Sequence, residues 1–75
     1  MEMARLYATL RGLMIANGDT QEDVARALKL GKVSVSHRMT GREPWRSDEM
    51  YILMDRYHRP YSELHVVFPL NGRNE

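Results

Sequence analysis

Cysteine is absent from this 75-residue chain, so disulfides and thiolate zinc sites are excluded, and with them the usual staples of small secreted domains. A reducing, cytoplasmic setting is the expectation. No apolar run approaches the roughly eighteen residues that would suggest a membrane span. The opening Met1-Glu2-Met3-Ala4-Arg5 has no apolar stretch of the kind a signal peptide needs. Neither a membrane partner nor export is therefore expected. There is no internal repeat, low-complexity stretch or long linker. A chain this short buries only about 60% of the surface its unfolded form exposes. That bounds it to a single domain over residues 1–75, with little room for an enclosed active site.

Excess charge is scarce too, with a formal net charge of +1, which taken alone argues against a nucleic-acid partner. The distribution says more than the total. Residues 29 to 46 hold Lys29, Lys32, Arg38, Arg42 and Arg46 against Glu43 alone, while the remainder of the chain is acidic on balance. One region is basic and the rest is not, a pattern that fits an ordinary solvated face as well as a phosphate-binding one.

Gly and Pro signals at 17–18, 31, 41–44, 59–60 and 69–72 cut the chain into helix-sized pieces. Leu6, Leu10, Leu13 and Met14 recur at helical spacing, predicting a first helix from about Met3 to Ala16 that stops at Asn17-Gly18. Thr20 opens the run TQEDVARAL, where its hydroxyl can cap the free amides and Asp23 can reach back as in a capping box. Val24 and Leu28 face inward on this second helix, with the small Ala25 beside them. A third piece runs from Lys32 to Met39, with Val35 and Met39 inward and Gly41 as its stop. Pro44 forbids continued helix, and Trp45 offers a large apolar anchor. Ser47 is the expected cap of a fourth helix carrying Met50, Leu53, Met54 and Tyr57 on its inward stripe, up to Arg59-Pro60. In the tail, Ser62-Glu63-Leu64 reads as a last helical turn and His65 to Phe68 as a short strand closed by Pro69. The expected fold class is all-α: a compact bundle of four to five helices with a candidate C-terminal strand.

Two short helices joined by a tight turn, the second bounded by basic residues, have the form of a helix-turn-helix whose second helix enters the major groove. The stretch TQEDVARALKLGKVSVSHRMTGR resembles the helix-turn-helix of the Cro and lambda-repressor superfamily. Thr20-Gln21 matches the start of the positioning helix and Val24-Ala25 its packed pair. Val35-Ser36 and Met39-Thr40-Gly41 match the recognition helix and its glycine stop. More loosely, Trp45, residues 47 to 57 and the 61–68 tail resemble the later helices and C-terminal strand of small phage and prophage regulators. One departure stands out: the family's turn glycine falls on Lys29 here. A lysine in a left-handed position costs on the order of 1 kcal/mol, which could re-route the turn and change the angle of the third helix.

With Val35 and Met39 inward, a rotation of about 100° per residue sends Val33, His37 and Thr40 to the opposite side, with Ser36 flanking. Lys32 can donate to guanine, Val33 can touch a thymine methyl, and Ser36 and His37 can bond base edges. Lys32, Val33, Ser36 and His37 are therefore the expected base contacts. The resemblance implies that Gln21 donates to a phosphate at the positioning helix's N-terminus. Thr40, Arg42 and Arg46 are the further expected phosphate clamps. Arg38, tilted toward the core side, either snorkels to a phosphate or pairs with an acid.

The resemblance further implies a transcriptional regulator occupying a double-stranded DNA operator as a homodimer, with the strand Val66, Val67 and Phe68 making the two-fold contact. A tail folded over its own core is the other course for those residues. Catalysis is not expected. His37, His58 and His65 share no metal face, and Ser34 and Ser36 point away from His37 on an exposed helix. No metal, cofactor or small-molecule ligand is expected either. The competing functions are the antitoxin of a toxin-antitoxin pair, which would use the same helix on DNA and its tail on a toxin, and a helical adaptor or inhibitor that binds protein rather than DNA.

Overall fold

A computed structural model describes residues 6 to 73, and these form an all-helical bundle without a strand among the described residues. The helices are α1 (Ala8–Ala16), α2 (Gln21–Leu28), α3 (Lys32–Met39), α4 (Ser47–Arg56) and α5 (Leu64–Val67), with 3-10 turns at Tyr61–Glu63 and Leu70–Gly72.

The capping box at α2 is complete. The Thr20 hydroxyl accepts the Asp23 amide at 3.2 Å, and the Asp23 carboxylate accepts the Thr20 amide at 2.8 Å. The start of α4 is different from expectation, because Ser47 lies inside the helix and Arg46 occupies the capping position. An arginine side chain has no acceptor to offer, so only half a box forms there: Glu49 reaches back to the Arg46 amide at 3.0 Å. The apolar stripes meet as their spacing implies. Leu10, Val24, Val35, Met39, Leu53 and Met54 are completely buried, and Trp45 anchors the loop before α4.

The first helix starts later than its periodicity suggests. Met3 to Arg5 lie outside the described residues, and Leu6-Tyr7 form a turn, with Tyr7 in a left-handed conformation at φ 57°. That conformation lets the Tyr7 amide donate to the Gly72 carbonyl at 2.7 Å. It also sends the ring into a buried cluster, with centroids 6.3 Å from Trp45 and 6.4 Å from Phe68. The close approach needs glycine at position 72, where a Cβ would sit 2.8 Å from the Tyr7 ring.

The expected strand at the tail is a helix instead. Leu64, Val67 and Phe68 are spaced three and four apart, so a helical turn turns all three toward the core, with Val67 1% and Phe68 8% exposed. An extended chain would have put Val67 and Phe68 on opposite faces. The tail thus folds over its own core, and the two-fold contact expected of Val66, Val67 and Phe68 loses two of its three residues, Val67 and Phe68, to the monomer interior. Val66 stays at the surface.

Candidate nucleic-acid interface

Helices α2 and α3 are joined by Lys29, Leu30 and Gly31, and the turn keeps the left-handed route despite its lysine. Lys29 sits at φ 58°, ψ 40°, with its amide on the Arg26 carbonyl at 3.2 Å and the Leu30 amide on the Ala25 carbonyl at 2.9 Å. Leu30 packs against the core beside this turn. Gly31 is extended at φ −76° and leads directly into α3. The re-routing that Lys29 could have caused does not occur.

On α3 the inward residues are Val35, Arg38 and Met39, while Lys32, Val33 and Thr40 are exposed, Val33 to 66%. Ser36 and His37 are half-buried on the flank of the same outward side. The structure therefore brings Lys32, Val33, Ser36 and His37 together, with the first two most open to a partner. The C-terminal tail lines, with the Thr40 to Trp45 loop, an open groove of about 740 Å³ that includes Leu6, Phe68 and Leu70.

The clamp residues are less uniform. Gln21 is the first residue of α2 and is half-buried, beside amides that have no intrahelical acceptor. Glu22 and Asp23 follow it, and the negative charge of Asp23 is partly answered by Arg26 at 2.7 Å. The Asp23 carboxyl is held below its ordinary value, first by the Thr20 backbone N–H and then by the Thr20 hydroxyl. Thr40 is exposed, but its hydroxyl already donates to the Ser36 and His37 carbonyls at 2.9 and 3.3 Å. Its proton is engaged in closing α3, which weakens it as a phosphate donor. Arg42 is exposed, and Arg46 makes only a loose surface pair with Asp48 at 3.6 Å. No ion pair engages Lys29, Lys32 or Arg42 among the described residues.

Arg38 takes the acid-pairing course. Its guanidinium meets Glu49 at 2.8 and 3.1 Å and Glu43 at 3.4 Å, so its charge is compensated within the protein. The cations left facing solvent near α3 are Lys29, Lys32, Arg42 and Arg46.

One element of the scaffold has no signal in the sequence. Asp19, immediately before the α2 cap, accepts from Arg56 Nε and Nη2 at 2.8 Å each, from the Tyr57 hydroxyl at 2.7 Å and from Asn17 at 3.1 Å. This ties the entrance of α2 to the end of α4. The Arg56 guanidinium holds the Asp19 carboxyl far below the usual carboxylate range, outweighing the upward push of burial. Burial, reinforced by the bond to Asp19, pushes the Tyr57 phenol well above its ordinary value. No group of three or more candidate metal ligands occurs among the described residues, and no helix among them is long and apolar enough to cross a membrane. No protein-family model, curated protein or solved structure matches this chain.

Proposed function

We propose that this chain is a sequence-specific, double-stranded DNA-binding transcriptional regulator that acts in the cytoplasm by occupying an operator. The observation that supports it most is the outward side of α3, where Lys32 and Val33 stand exposed beside Ser36 and His37. A narrow helix face with one cation, one methyl-bearing side chain and two short polar groups matches what a major groove offers. The cations Lys29, Arg42 and Arg46 around it suit flanking phosphates. A single module of this size reads few base pairs, so the active form is a homodimer on two half-sites about one DNA turn apart. With Val67 and Phe68 buried, the two-fold contact uses other surface.

A second reading has one observation in its favour. The outer side of α4 exposes Tyr51 and Ile52, and the Tyr51 ring packs edge-on against the exposed Tyr61 at 4.7 Å. An apolar, aromatic surface of this kind suits a protein partner, as a helical adaptor or inhibitor would require. Selection of bound duplexes from random-sequence DNA, followed by Lys32→Ala and His37→Ala, separates the two. DNA reading predicts a recovered consensus, with altered base preference at one or two positions and about 1 to 3 kcal/mol lost at each true contact. Recovery of no consensus would favour the adaptor.

A further inference from the structure

A buried carboxylate holds helix α3 from behind, beside the bond from Arg11 Nη2 to the Met39 carbonyl at 3.2 Å. The Arg38 and Glu49 side chains are 10% and 6% exposed, and they meet fork to fork, Nε on Oε1 at 2.8 Å and Nη2 on Oε2 at 3.1 Å. The same Oε1 accepts the Arg46 backbone amide at 3.0 Å. Arg38 Nη1 turns back to the Ser34 carbonyl at 3.2 Å, so the guanidinium is fixed to its own helix as well as to α4. Glu49 thereby joins the rear of α3 to the residue that opens α4.

A buried ion pair adds little stability over an apolar pair of similar volume, because desolvating both charges offsets their attraction. What it adds is direction, since a bidentate guanidinium-carboxylate contact is planar and tolerates little rotation. Direction matters here. Side-chain tips lie about 6 Å from a helix axis, so turning α3 by about 15° would move Lys32, Val33 and His37 by about 1.5 Å. A hydrogen bond to a base edge does not survive such a displacement.

We propose that Glu49 is a positioning residue for DNA reading: one carboxylate holds both Arg38 and the Arg46 amide, setting the rotation of α3 against the Arg42 to Arg46 clamp. This rests on the DNA-binding function proposed above. Sequence spacing places Glu49 only in the first turn of α4, where it reads as a partner of the helix dipole.

The test replaces the pair by apolar residues in the full chain, Arg38→Met with Glu49→Leu. One positive and one negative charge are removed together, so affinity for a scrambled duplex and its salt dependence are expected to stay as in the parent chain. Affinity for the duplex recovered from random-sequence DNA is expected to fall, lowering the ratio of the two by about tenfold, the size of one lost base contact. Residual dipolar couplings of the free proteins supply a readout independent of DNA: the α3 couplings should shift or average down relative to those of α4. A folded double variant with parental couplings, or with an unchanged affinity ratio, overturns the proposal. If the double variant does not unfold cooperatively, Glu49→Gln, which keeps the shape but not the two-acceptor fork, is subjected to the same two measurements. A parent chain that prefers no duplex defeats the DNA-binding function instead, and the couplings alone then decide whether Glu49 sets α3.

Discussion

Replacing Lys29 by glycine tests the helix-helix turn at its most strained point. Lys29 adopts φ 58°, ψ 40° between α2 and α3, its side chain is exposed, and no ion pair among the described residues engages it. An L-residue in this conformation costs about 1 to 2 kcal/mol relative to the right-handed region. Glycine removes that cost but enlarges the entropy of the unfolded chain, which takes back about 0.5 to 1 kcal/mol. The net stabilisation is about 0.5 to 1 kcal/mol. For a chain of this length, 1 kcal/mol moves Tm by about 4 to 8 °C, so Lys29→Gly should melt about 2 to 8 °C higher by circular dichroism. Lys29→Asn, which tolerates the left-handed region better than lysine, should fall between them. Lys29→Val, branched at Cβ, should melt below the parent. A valine variant as stable as the glycine variant would refute the reasoning, because it would mean that the turn leaves the left-handed region when the side chain changes.

Asp19→Asn removes the charge that binds Arg56 and Tyr57 and should cost about 2 to 3 kcal/mol, read by denaturant unfolding at neutral pH. Because folding lowers the Asp19 pKa, its contribution is full above the ordinary carboxylate value of about 3.9 and is lost only as pH falls below it. The stability gap between parent and Asp19→Asn should therefore be constant from neutral pH down to the usual carboxylate range and close under stronger acid; a gap that closes near neutrality would contradict the Asp19 assignment. Deleting residues 66–75 removes Val67 and Phe68 from the core, and Phe68 alone is worth about 3 to 5 kcal/mol by truncation to alanine. The shortened chain should lose cooperative thermal unfolding, whereas a truncated chain that still unfolds cooperatively at the parental temperature would contradict the core role of Val67 and Phe68.

The parts of the fold that could be read from the sequence are those set by neighbours a few residues apart. Thr20 and Asp23 spell their box within one turn, and Leu53, Met54 and Tyr57 define the buried side of α4 by spacing alone. The outward side of α3 follows in the same way once Val35 and Met39 are placed inward. The tail was harder, because Val66-Val67-Phe68 has the β-branched and aromatic character of a strand. Packing decided it, since a helical turn faces Leu64, Val67 and Phe68 together toward the core, Leu64 partly buried and the other two buried. Asp19 with Arg56, and Arg38 with Glu49, depend on how whole helices cross. Such pairs, 37 and 11 residues apart, leave no periodic trace. Thr40 shows the same limit at the candidate site: its place at the end of α3 was legible, but the engagement of its hydroxyl by two carbonyls was not.

Amide chemical-shift mapping with a duplex recovered from random-sequence DNA is the most direct measurement. The largest changes should fall on Lys32, Val33, Ser36 and His37, with smaller ones at Gln21, Arg42 and Arg46, and all should fade as salt rises and counterions compete. Changes centred on Tyr51, Ile52 and Tyr61, or none on α3 at low salt, would contradict the assignment of α3 as the DNA-reading helix.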